Sequence, residues 1–280
     1  MIENTSTVVK SRGPIKALRD GNRLYMDNFT RLLKRSWTTT LIYAIVAGIY
    51  TTALANNTGF FAQCILSLLL FIMITAMLSQ GFATLKEHQE NGAILPAKHW
   101  YGTFHLKLFV RILKFNLSML LPFVVIIALA VGMFYLSTPM GLIPAVIIAS
   151  ITAFILSLFT LPLIYGEYQY VLNKQTKLST AYGKSYTKGL HHLPSILGTF
   201  LLCVICIFII TQFLQLPRTI LIVANIIARR DMAMGDAVVL PGYMIWLEPI
   251  LFSISGFIQG YLFLFMVYPF YYLYISINNK

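Results

Sequence analysis

Charge is scarce in this chain, and acid is scarcer still. Charged residues make up 11% of the 280 positions, and nine acidic residues face 21 basic ones. With 58% apolar residues and a mean hydropathy of +0.75, a water-soluble fold of this length would lack the polar surface to cover itself. Cysteine is equally sparse. Cys64, Cys203 and Cys206 all fall inside apolar runs, which excludes a disulfide framework of the secreted kind. Cys203-Val-Ile-Cys206 has the spacing of a redox or metal pair, but in a helix i and i+3 simply share a face, and lipid depth keeps thiols protonated. Packing is the reading for that pair. There is no Gly-rich phosphate loop, no nucleophile elbow, and no Ser/His/Asp set that spacing joins on one membrane face. The first 36 residues carry neither the short apolar run nor the small-residue cleavage site of a secretory signal. The first span is therefore expected to act as the insertion signal.

What the chain has in quantity is long apolar sequence. Six stretches qualify as spans: Trp37 to Ala55, Gly59 to Ala83, Phe115 to Tyr135, Leu142 to Tyr165, Pro194 to Leu214 and Ile250 to Tyr272. Each approaches or exceeds the ~20 residues a helix needs to cross ~30 Å of hydrocarbon. The expected fold is an all-α integral membrane protein, with a polar segment over 1–36 and a six-helix transmembrane domain over 37–280.

The basic residues are sorted between alternate connections. Eight precede the first span, five lie between spans two and three, four between spans four and five, and Lys280 closes the chain. The turns near Asn56 and Thr138 carry none. The fifth connection balances Arg218, Arg229 and Arg230 with Asp231, Asp236 and Glu248. One face thus holds eighteen basic and six acidic residues, the whole of the +12, while the other is neutral. By the positive-inside rule both termini are cytoplasmic, and the expected location is a bacterial inner membrane. This sorting calls for no nucleic-acid partner. It points to anionic lipid headgroups, each surface basic residue contributing on the order of 1 kcal/mol. The headgroup candidates are Arg23, Arg31, Lys34, Arg35, Lys107, Arg111 and Lys114.

A threefold repeat organises this layout: a basic amphipathic helix, an entering span, a tight turn and a returning span, all in the same orientation. The units are 14–92, 93–177 and 178–280, and the lead-in helices Pro14 to Lys34, Pro96 to Lys114 and Leu178 to Leu193. In the first, Ile15, Leu18, Tyr25, Phe29, Leu32 and Leu33 recur at helical spacing, so the helix is expected to press that face into the bilayer interface. Pro162 and Pro269 each precede a tyrosine by three residues near the end of a returning span, and Gly81 takes the matching place in the second span. Both prolines are expected to kink their helices. The third unit is longer, with an external insertion over 215–249. There Ile220 to Ala228 is an apolar run too short to span, read as an interfacial or re-entrant helix, and Arg229, Arg230, Asp231 and Asp236 are its polar candidates.

Inside the spans no Lys, Arg, Asp or His lies at mid-membrane depth, which argues against a proton-coupled pump or a channel for charged substrates. Gly256-Phe-Ile-Gln-Gly260 is a small-xxx-small pattern, suited to a neighbouring helix of the bundle or to a homodimer face. The cytoplasmic run Lys86-Glu87-His88-Gln89-Glu90, with His99, His105 and His191-His192, fits no standard metal spacing. No catalytic residue, metal or cofactor is expected.

The stretch Ile15-Lys-Ala-Leu-Arg-Asp-Gly-Asn-Arg-Leu-Tyr-Met-Asp-Asn-Phe29, and its looser return at Leu178 to Leu190, resembles the lead-in of the membrane domain found beside bacterial glycerophosphodiester phosphodiesterases and of related six-helix inner-membrane proteins of unknown function. The resemblance implies a fold and a membrane and brings no catalytic residues to carry over. The expected function is that of a non-enzymatic accessory or membrane-organising component that binds anionic lipid or a membrane-protein partner. The competing expectation is a transporter or flippase of lipid-like or apolar molecules.

Overall fold

The structure, a computed structural model, describes residues 13–55, 59–94, 104–235 and 242–278. Among them the chain is helical, with no strand. Ten α-helices follow one another: α1 (Pro14–Asp27), α2 (Phe29–Ala55), α3 (Phe60–Asn91), α4 (Leu106–Ser137), α5 (Leu142–Leu158), α6 (Pro162–Leu172), α7 (Leu178–Thr180), α8 (Tyr186–His191), α9 (Leu193–Ala233) and α10 (Met244–Asn278). Six stretches are long and apolar enough to cross a bilayer: Phe29–Leu54, Phe60–Asn91, Leu106–Ser137, Leu142–Leu172, Leu193–Met232 and Pro249–Asn278. This is the fold of a multi-pass membrane protein.

The described residues fall into two compact units. One is drawn from Met1–Arg23, Leu106–Leu201 and Tyr268–Lys280, the other from Leu24–His105 and Leu202–Val267.

In the second unit small residues let helices approach closely. A Cβ added to Gly260 of α10 would lie 2.8 Å from Thr40 Cγ2 of α2 and 3.1 Å from Met77 Sδ of α3. One at Gly256 would meet Ala44 Cα at 3.5 Å. The Gly256/Gly260 stripe therefore faces α2 and α3 of its own chain. Buried hydroxyls along this seam return their protons to their own helices, as Ser36 to Leu32 O (2.8 Å) and Thr84 to Gly81 O (2.7 Å). That is how a polar side chain is tolerated where no water reaches it.

In the first unit the packing is aromatic. Phe115 of α4 lies between the rings of Tyr170 (6.1 Å between centroids) and Tyr182 (5.7 Å), and the Tyr182 and Ser118 hydroxyls are 2.6 Å apart. Span four breaks ahead of Pro162. Phe159, Thr160 and Leu161 bond back to carbonyls three residues earlier, and α6 starts with Pro162 at its first turn, where the missing N–H costs nothing. Two close approaches then fix the neighbouring pieces: Gly189 of α8 against the Pro162 carbonyl, and Gly21 of α1 against Pro269, where an added Cβ would sit 2.5 Å from the proline nitrogen.

Three sequence expectations change in detail. The first lead-in is split at Asn28, whose Nδ2 donates to Leu24 O at 3.0 Å, so Arg31, Lys34 and Arg35 already belong to the spanning helix α2. The buried stripe of α1 is Ala17, Gly21, Leu24 and Tyr25, while Ile15 is 75% exposed; the stripe packs on protein. Helix α9 runs unbroken through Pro217, so Ile220 to Ala228 continues the fifth helix and is not a separate interfacial piece. Proline is tolerated inside helices with apolar flanks, where continuing the helix is the favoured way to satisfy the rest of the backbone. Helix α10 likewise passes through Pro269 without a break. Of the second lead-in, residues 96–103 lie outside the described residues.

Candidate functional site at the basic helix ends

The seven headgroup candidates separate by what their cations touch. Arg35 is buried (4% exposed) at the start of α2, and its guanidinium makes a two-pronged ion pair with Glu87 near the end of α3. Nη2 to Oε1 is 2.6 Å, and the second prong joins Nη1 to Oε2. A planar fork on a carboxylate is the geometry that distinguishes arginine from lysine. Arg35 is therefore an internal tie between α2 and α3, and the expectation that it meets lipid headgroups is corrected. His105 stands beside this pair, its Nε2 3.5 Å from Arg35 Nη2. Loss of hydration, then the Arg35 charge and that of Lys86, hold the His105 imidazole below its usual range, against the opposing pull of Glu87.

Arg31 and Arg111 are turned onto backbone. Arg31 Nη1 donates to Ile94 O at 2.9 Å, and more weakly to Asn28 Oδ1 at 3.3 Å. Arg111 reaches three carbonyls past the end of α6, those of Asn173 (2.8 Å), Lys174 (3.0 Å) and Thr176 (2.7 Å). Its guanidinium carbon also lies 4.3 Å above the Tyr170 ring centre. Carbonyls past a helix C-terminus carry partial negative charge, so a cation is favoured there twice over. The remaining candidates face outward: Arg23 on α1, Lys34 on α2, and Lys107 and Lys114 on α4 are exposed.

Arg229, Arg230 and Asp231 lie in the last turn of α9, with Arg230 exposed, and Asp236 lies outside the described residues. Along this stretch Arg218 is tied in: its guanidinium carbon stands 3.9 Å from the Phe252 ring centre and its Nη1 donates to Gln215 Oε1 at 3.2 Å. Among the described residues no group of three or more His, Cys, Asp or Glu side chains could hold a metal. Of the histidines considered for one, His99 is not described, and His192 Nδ1, just past the end of α8, is 3.0 Å from the Lys188 carbonyl of that helix. A cavity of about 10 Å³ in the first unit, lined by Tyr165, Tyr168 and Tyr274 among apolar neighbours, has room for no more than a water.

Residue reading at the level of charge runs missed the inward arginines. A signal for them exists. Phe29-Thr-Arg-Leu-Leu-Lys34 recurs as Phe109-Val-Arg-Ile-Leu-Lys114, 80 residues on, and in both copies the arginine donates to backbone carbonyls and the lysine is exposed. No known protein family, curated protein or solved structure matches this chain.

Proposed function

We propose that this chain is a non-enzymatic component of a bacterial cytoplasmic membrane, with both termini cytoplasmic, that holds anionic lipid through its outward lysines and serves a membrane process as an accessory or organising protein. The observation that supports this most is the division of cations at the helix ends: Arg35 and Arg111 are spent on internal bonds, whereas Lys34, Lys107 and Lys114 stay exposed. An ammonium on a flexible stem suits a mobile phosphate headgroup, and at about 1 kcal/mol per residue three of them are worth on the order of a hundredfold in affinity at low salt. The test is native mass spectrometry of the protein released from mixed anionic and zwitterionic bilayers. The wild type should retain anionic lipid preferentially, and a Lys34→Gln/Lys107→Gln/Lys114→Gln variant should lose that preference. Equal retention by both proteins refutes the headgroup assignment, and a stoichiometric protein without lipid replaces it with the partner reading.

A second reading, transport of lipid-like molecules, is favoured by the break at Phe159 to Leu161, because an interrupted spanning helix supplies a joint. Faster exchange of a labelled lipid between leaflets of reconstituted vesicles than of protein-free ones would support it.

A further inference from the structure

We propose that Arg31 and Arg111 are one device built twice, a guanidinium latch that closes each helix hairpin at its basic end. The two arginines occupy the same place in the repeated hexapeptide, at the start of an entering span, α2 or α4. Each reaches carbonyls in the chain that leaves the returning span: Ile94, two residues beyond the Gly92 cap of α3, and Asn173 to Thr176 beyond α6. The separations in sequence agree. Arg31 to Ile94 is 63 residues, and Arg111 to Lys174 is again 63. Two independent tertiary contacts with equal spacing, carried by a matching local sequence, are the mark of a duplicated unit.

The latch solves a problem both hairpins share. The external turn ties the two spans together at one end only, and the basic ends are joined to nothing by chain within the hairpin. Carbonyls just past a helix terminus need donors, and the partial negative charge they carry favours a cationic one. A guanidinium fork can, and it can serve two or three carbonyls at once. The third unit has no arginine between Leu178 and Leu214. Its lead-in bears His191 and His192 at the corresponding place, and its returning helix is held differently, by the seating of Gly21 on Pro269. Among the described residues two hairpins are latched and the third lacks this device, so the third is the hairpin able to part at its basic end without losing such a bond. This assignment is independent of lipid binding.

Hydrogen–deuterium exchange on the full chain in detergent tests it. Arg111→Ala should raise amide exchange in 173–176 at least tenfold and leave Gly92 to Ile94 as in the wild type. Arg31→Ala should do the converse, with a smaller rise because a single carbonyl is served. Arg111→Lys, which keeps the charge and is the variant more certain to fold, should give an intermediate rise. Unchanged exchange in the matched segment, loosening of both segments by either variant, or full restoration by lysine would each overturn the proposal.

Discussion

The tie between Arg35 and Glu87 offers the sharpest test of the inward reading. Both partners are withdrawn from water, Arg35 to 4% and Glu87 to 19% side-chain exposure, and two charge-assisted bonds join them. Truncating one partner strands the other as a buried, uncompensated charge, a loss of about 3–5 kcal/mol in comparable settings. Replacing both with apolar residues of similar volume is close to neutral, because the desolvation of two ions disappears along with their attraction. On the scaling of about 2–4 °C per kcal/mol for chains somewhat shorter than this one, Arg35→Ala and Glu87→Ala should each lower the melting temperature by roughly 6–20 °C. The double variant Arg35→Met/Glu87→Leu should melt nearer the wild type than either single. Arg35→Lys should fall between, since an ammonium keeps the charge and loses the second prong. The assay is thermal unfolding in mild detergent, followed by the loss of the monodisperse peak on size exclusion, with Lys34→Gln as an exposed control expected to stay within about 0.5 kcal/mol. Singles that melt with the wild type, or a double that melts at the sum of its singles, would refute the argument. If Arg35 instead served headgroups, its substitution would change lipid retention and leave the melt alone.

Two further outcomes follow from the same geometry. Alanine at Gly256 should be almost silent, because its Cβ would make ordinary contact with Ala44 at 3.5 Å, whereas alanine at Gly21 would meet Pro269 backbone atoms at 2.5 and 2.6 Å and should cost on the order of 1–3 kcal/mol in the same melt; equal effects at the two sites would show that the close approaches are not what hold these helices. Because the folded protein holds His105 below its ordinary value of 6.5, the unfolded chain binds the extra proton more readily, so stability should fall as the pH drops below about 6.5 and His105→Gln should flatten that part of the profile; an identical acid limb in the variant would remove His105 from the account.

The six spans were open to direct reading because hydrocarbon selects on composition over ~20 residues and little else. Their ends were not. Helix α2 starts eight residues before the apolar run at Trp37, because membrane crossing limits the apolar stretch and sets no limit on how far a helix extends past it. Helix α9 shows the same at its other end, where a proline and an arginine in the sequence mark no boundary in the helix. The partners of the basic residues lie 52 residues away for Arg35 and 62 to 65 for Arg111, and a charge count along the chain carries no information about such pairings. What does carry it is the hexapeptide repeated at an offset of 80, since a local sequence kept twice marks a contact made twice.

The division of labour between arginine and lysine at the span starts follows from their chemistry. Within Arg31-Leu-Leu-Lys34 and Arg111-Ile-Leu-Lys114 the two cations are three residues apart, less than one turn of helix, and so share much the same depth and potential. Charge alone would place both at the headgroups. The guanidinium is flat, weakly hydrated and rich in donors, and it goes to fixed carbonyls, as Arg35 goes to the fixed Glu87 carboxylate. The ammonium is compact and strongly hydrated, and it stays exposed. Exchanging the two, with Arg111→Lys and Lys114→Arg in one chain, preserves every charge on this face. It should nonetheless loosen the turn after α6 while leaving lipid retention in place, and that separation of effects is what a count of basic residues, taken by itself, would forbid.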